Sequence, residues 1–154
     1  MIRLLVADDH PVVRDELSSM FASAPGLRVV GEAADGATAV RLAQELQPDV
    51  ILMDLRMPGM DGLTAITELA RLGVTARVLV LTTYDTDAHV LPAIEAGATG
   101  YLLKDSARED LLRGARAAAK SHLLNIYAKL GVNDRAAAVT EAFNRGLLVP
   151  RKTV

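Results

Sequence analysis

The strongest constraint on the fold is an alternation between two hydrophobic periods. Short runs rich in Val, Ile and Leu recur at residues 2–7 (IRLLVA), 28–33 (RVVGEA), 49–54 (DVILMD), 77–82 (RVLVLT) and 99–104 (TGYLLK). Each has the length of a strand and is apolar through most of it, as a strand covered on both faces must be. Between them, apolar residues return every three or four positions, as in Val13, Leu17, Met20, Phe21 and again in Ala39, Val40, Ala43, Leu46. That is the spacing of one helix face. Strands and helices taking strict turns imply parallel strands joined by right-handed crossovers, so the chain is expected to fold as a doubly wound α/β sandwich. Pro25-Gly26, Pro48, Pro58-Gly59, Gly73 and Gly97 fall between the periodic segments, where turns belong. Pro11 suits the first turn of a helix. Pro92 falls one or two turns into the fourth helix and predicts a late start or a kink there.

A chain of 154 residues that is 51% hydrophobic can fill one good core, though not two full domains. The absence of cysteine excludes disulfides, thiolate metal sites and thiol catalysis, and suits a reducing cytosol. The opening MIRLLVADDH has no long apolar run and reaches two aspartates within ten residues, so neither a signal peptide nor a membrane span is expected, and a cytoplasmic location is. The net charge of -2 conceals an asymmetry: residues 1–107 hold 8 Lys+Arg against 15 Asp+Glu, the remainder 9 against 4. A basic tail suits a polyanionic partner, although a solvated basic helix face is the commoner explanation.

In an open parallel sheet, ligands sit beyond the carboxyl ends of the strands where the strand order reverses. Asp8 and Asp9 close the first strand and Asp54 the third; these become neighbours if the order is 2-1-3-4-5. Three converging carboxylates repel one another unless a hard cation shares their charge, and Mg2+ takes such oxygen ligands while keeping several waters. Each aspartate also has a plainer role available, Asp8 as a helix cap before Pro11 and Asp54 as a turn residue before Met57-Pro58-Gly59. Lys104 at the fifth strand end and Thr82 at the fourth make capping a poor account of the whole set. Together the four ends offer metal ligands, a nucleophile, a hydroxyl and a cation.

The segments LLVADDHPVVR, DVILMDLRMPGMDG, VLVLTTYD and GATGYLLKD resemble the receiver domains of two-component response regulators, over residues 1 to about 120, and their wording is nearest the NarL/FixJ branch. The resemblance implies a flavodoxin-like five-stranded parallel sheet and the following roles. Asp54 is the phosphoacceptor; Asp9 and Asp54 ligate Mg2+ directly, Asp8 does so through water, and the backbone carbonyl of Arg56 completes the protein ligands. Thr82 and Lys104 bind phosphoryl oxygens, Lys104 as a fixed charge and not as a base. A sensor histidine kinase supplies the phosphoryl group, and the chain catalyses only its own phosphorylation and the slow loss of that group. Switching follows if the new dianion draws Thr82 inward and leaves space into which Tyr101 turns; as plain strand residues, both also have purely structural readings. Many receivers have a proline after the lysine, often with a cis bond. Here Asp105 stands in its place, so a cis bond is not expected.

After Ser121, HLLNIYAKLGVNDRAAAVTEAFNRGLL resembles the end of a LuxR-type helix-turn-helix domain: the later part of the recognition helix and the whole final helix. Gly131 suits a C-cap and Asn133 or Asp134 an N-cap, while Ala138, Phe143 and Leu147 give the last helix an apolar stripe. The chain therefore divides into a receiver at 1–120 and a short all-α remnant at 121–154. The spacing of Leu112, Ala115, Ala119, Leu123, Ile126 and Leu130 predicts one helix running from about Ala107 to Leu130. The family implies DNA binding and dimerisation on phosphorylation for the parent protein. Lys120, His122, Asn125 and Lys129 are the surviving positions suited to DNA contact, or else a solvated helix face, and weak or absent specific DNA binding is expected of this polypeptide.

Rival readings remain. A Mg2+-dependent aspartyl-phosphate hydrolase of the haloacid dehalogenase type carries its nucleophile in an Asp-x-Asp arrangement on the first strand, where this chain has adjacent Asp8-Asp9. A dinucleotide-binding domain needs a Gly-x-Gly-x-x-Gly turn after that strand, and Asp8-Asp9-His10-Pro11 stands there instead. A stand-alone receiver that signals through protein contacts fits the same residues.

Overall fold

The computed structural model describes residues 1–82 and 87–120. Five strands, β1 (Ile2–Ala7), β2 (Leu27–Ala33), β3 (Val50–Asp54), β4 (Arg77–Thr82) and β5 (Gly100–Leu103), alternate with five helices, α1 (Pro11–Ala22), α2 (Gly36–Leu46), α3 (Gly62–Arg71), α4 (Asp87–Ala96) and α5 (Arg108–Lys120). The strands form one parallel sheet in the order β2-β1-β3-β4-β5. This is the doubly wound, flavodoxin-like arrangement read from the sequence, with the order reversal between β1 and β3.

The apolar runs are continuous because each strand feeds two cores. Side chains alternate across a sheet. On one face Leu4, Val6, Val50, Leu52, Leu79 and Leu81 meet Leu17 and Phe21 of α1 and Leu111, Leu112 and Ala115 of α5. On the other, Leu5, Ile51, Met53, Val78 and Val80 meet Ala39, Val40 and Ala43 of α2, Ala65, Ile66 and Leu69 of α3, and Ala93 and Ile94 of α4. Each large aliphatic side chain buried this way contributes roughly 2 kcal/mol.

Helix ends follow local chemistry. Pro11 opens α1 at its first position, where no backbone N–H is needed. Asp35 caps α2 by accepting from Thr38 N–H at 2.7 Å, and Asp61 caps α3 by accepting from Thr64 N–H at 2.8 Å. At α4 the structure departs from the expected late start: the helix begins at Asp87 and runs through Pro92. A proline removes one helical hydrogen bond, and the full burial of Ala93 and Ile94 against the sheet offsets that loss. Helix α5 begins within a residue of its expected start, and its proposed continuation to Leu130, with the partial helix-turn-helix at 121–154, lies outside the described residues. Among the described residues no helix is long and apolar enough to cross a membrane.

Candidate phosphoacceptor and metal site

Parallel register sets the site. Ala7 pairs with Met53, Asp54 with Leu81, and Thr82 with Leu103, so β1, β3, β4 and β5 end along one edge. Beyond that edge come Asp8, Asp9 and Lys104, beside Asp54 and Thr82 themselves. Lys104 Nζ lies 2.6 Å from Asp8 Oδ2 and 3.0 Å from Asp54 Oδ2. Both carboxylates are buried, Asp8 at 1% and Asp54 at 5% exposure. The Lys104 backbone N–H donates to Thr82 O at 2.9 Å.

Asp8 is held from several sides. Its N–H donates to Ala33 O at 3.0 Å, its Oδ1 accepts from His10 N–H at 2.9 Å, and its carbonyl accepts from the Arg14 guanidinium at 2.8 Å. Arg14 Nε also lies 3.4 Å from Glu32 Oε1. Asp8 is therefore not the cap of α1; His10 occupies that position without a side-chain cap bond. The His10 ring turns to the carboxylates, with Nδ1 3.1 Å from Asp9 Oδ1 and 3.3 Å from Asp8 Oδ1.

The loop after β3 is shaped by the residues Met57-Pro58-Gly59-Met60-Asp61-Gly62. Gly59 takes φ +69°, a left-handed turn that favours glycine. Gly62 N–H donates to Leu55 O at 2.9 Å, and a Cβ on Gly62 would overlap the Asp54 carbonyl oxygen and stand 2.7 Å from Leu55 Cα. Only glycine lets α3 start this close to the acceptor. Asp54 Oδ1 in turn accepts from Arg56 N–H at 3.3 Å, which turns the Arg56 peptide into the loop beside the carboxylate.

The electrostatics are unbalanced towards negative charge. Burial pushes the Asp54 carboxyl above the ordinary carboxylate range, and Asp8 adds to this while Lys104 opposes it. Burial alone would lower the Lys104 ammonium, but Asp8 and Asp54 together hold it above its ordinary value. Asp8 and Asp54 therefore share one ammonium, and Asp9 stands beside them as a third carboxylate. Asp8, Asp9, His10 and Asp54 each offer one donor atom, all within 4.8 Å of one another. Asp9 Oδ1 is buried without a hydrogen bond. A set of hard oxygen donors with excess negative charge fits a small divalent cation such as Mg2+.

Of the residues singled out in the sequence, Asp8, Asp9, Asp54 and Lys104 converge, and Thr82 stands buried at the adjoining strand end. Tyr101 is fully buried on β5, in the core shared with α4. The Lys104–Asp105 bond is trans, as no cis peptide occurs among the described residues. Lys120 ends α5, about 20 Å along the helix from its start, whereas His122, Asn125 and Lys129 lie outside the described residues. His10, Arg14 and Gly62 were not anticipated. Their signal in the sequence is only proximity to Asp8 and Asp54, which does not reveal where a side chain points.

Residues 4–116 match the response regulator receiver domain, and the chain belongs to that family. Within it, the relatives are of the NarL type. The transcriptional regulatory protein LiaR of Bacillus subtilis is 48% identical over 120 residues, covering 78% of this chain and 57% of LiaR. The nitrate/nitrite response regulator protein NarP of Escherichia coli is 48% identical over 118 residues, covering 77% of this chain and 55% of NarP. The chain thus spans about half the length of the curated relatives it matches. Among solved structures, a LuxR-family two-component response regulator from Aurantimonas superposes with a TM-score of 0.75 at 34% identity, covering 86% of this chain and 99% of that one.

Proposed function

We propose that this receiver accepts a phosphoryl group on Asp54 from a sensor histidine kinase and that the parent protein uses the resulting switch to control DNA binding and transcription. The observation that carries this reading is the buried Asp54 carboxylate, paired with Lys104 Nζ at 3.0 Å beside Asp8 and Asp9. An Asp54 oxygen attacks phosphorus, the bond from phosphorus to the donor imidazole nitrogen breaks, and the electron pair stays with the imidazole. Lys104 faces the charge that develops on the phosphoryl oxygens and needs to exchange no proton. Asp9, Asp54 and the Arg56 carbonyl would hold Mg2+, with Asp8 acting through water; the cation supplies charge neutralisation for the same oxygens. Water later attacks the acyl phosphate, releasing inorganic phosphate and restoring the carboxylate.

The signal passes through Thr82, whose hydroxyl is drawn towards the phosphoryl group, and through Tyr101, which turns into the space this leaves. Dimerisation on phosphorylation and a cytoplasmic location belong to the same proposal. In the parent protein, DNA is met by the helix-turn-helix of which 121–154 retains the end. Lys120, His122, Asn125 and Lys129 support at most weak, non-selective binding by this polypeptide.

Incubation with acetyl phosphate and Mg2+, followed by intact mass spectrometry, tests the central step. One phosphate is expected on the wild-type chain and none on Asp54→Asn. No adduct on the wild type, or an undiminished adduct on the variant, overturns the reading.

A further inference from the structure

We infer that His10 is a nitrogen ligand of the acidic centre, so that this receiver favours borderline first-row cations such as Mn2+ or Co2+ over Mg2+ more strongly than an all-oxygen site would. The inference rests on the metal-binding reading above and goes beyond it by adding a donor and a selectivity. Ligands at neighbouring corners of an octahedron with bonds of about 2.1 Å stand about 3 Å apart. The His10 Nδ1 contact of 3.1 Å to Asp9 Oδ1 is such an edge, while Asp8 Oδ1, at 3.3 Å, stands within hydrogen-bond reach of the same nitrogen. Asp9 Oδ1 is buried and accepts no hydrogen bond, and it lies with a donor atom each of His10, Asp8 and Asp54 within a span of 4.8 Å.

The backbone roots the ring where it stands. His10 N–H donates to Asp8 Oδ1 and its extended backbone starts α1, with Pro11 next. A side chain at this position ordinarily caps the helix. That of His10 makes no cap bond and faces the carboxylates instead. The ring is 66% exposed, which leaves the coordination sphere open to waters. Carboxylates alone suit Mg2+, whereas an imidazole adds affinity for first-row metals that Mg2+ scarcely shares.

Calorimetric titration of the full chain with Mg2+, Mn2+ and Co2+ tests this, using wild type, His10→Ala, His10→Asn and Asp9→Asn. His10→Asn keeps a side chain able to cap α1 and separates ligand loss from helix damage. Both His10 variants are expected to lose Co2+ and Mn2+ affinity on the order of tenfold, the scale on which even supporting groups act at metal sites, with Mg2+ affinity nearly unchanged. The electron spin-echo modulation from nitrogen in the Mn2+ complex should vanish with the ring. Equal losses for all three cations, or a nitrogen signal that persists without His10, overturn the inference while leaving the site intact. Failure of the wild type to bind Mg2+, or binding indifferent to Asp9→Asn, removes the metal site itself and the inference with it.

Discussion

At Asp54 and Lys104, burial and charge act in opposite senses, and the two residues should fail differently. Burial raises the Asp54 carboxyl, so the folded state holds that proton more tightly than the unfolded state does. Stability from this group is then greatest at low pH and declines as pH rises above the ordinary value of 3.8 through the raised folded value. In metal-free buffer, Asp54→Asn is expected to be more stable than wild type at neutral pH and to lose the decline in stability that sets in above 3.8. Lys104 has the other sign: its raised value means its contribution is fully present below 10.5 and is lost only as pH climbs through the folded value. Lys104→Met leaves buried carboxylates without their cation and should destabilise by about 3 kcal/mol at neutral pH. Urea denaturation of both variants checks the pair. A destabilised Asp54→Asn, or an indifferent Lys104→Met, would show that the two charges are not in the balance described.

Among the elements, Asp35 offers the cleanest test. Its carboxylate accepts from Thr38 N–H, and that bond holds its pKa below the ordinary value. The contribution is present above 3.8 and is lost as pH falls through the lowered folded value. Asp35→Ala should therefore cost about 1 kcal/mol at neutral pH, and the difference from wild type should shrink in acid, as equilibrium unfolding at the two pH values would show. The strands were legible in the sequence because both faces are covered, which makes each run continuously apolar. Their ends were not: Leu27 joins β2 because it pairs with Ile2, while Asp49 falls outside β3 and spends its carboxylate on Arg3 N–H at 2.8 Å. Both outcomes depend on a distant strand. The persistence of α4 through Pro92 likewise depends on burial of Ala93 and Ile94, which a local pattern does not contain. Asp8, Asp9, Asp54, Thr82 and Lys104 could be found from the sequence since each follows or ends a strand, and strand order alone gathers them. The direction of the His10 ring and the reach of Arg14 to the Asp8 carbonyl are matters of rotamer and could not.

For the whole molecule, one sheet separates two cores while the charged centre sits at the edge common to both. A ligand that binds there and not to the unfolded chain must stabilise everything the sheet holds. At Mg2+ about a hundredfold above its dissociation constant, linkage contributes about 2.7 kcal/mol, a rise in Tm on the order of 5–10 °C for a domain of this size. Differential scanning calorimetry with and without Mg2+ should show that rise in wild type and little of it in Asp9→Asn. An equal rise in both would place the stabilising ion elsewhere.

The backbone bond from Lys104 N–H to Thr82 O has a mechanical consequence. The hydroxyl and the ammonium hang from adjacent rungs of one ladder, so neither can be tugged without pulling on the other's support. Since β5 is the outermost strand, a displacement of either side chain is carried to the margin of the sheet.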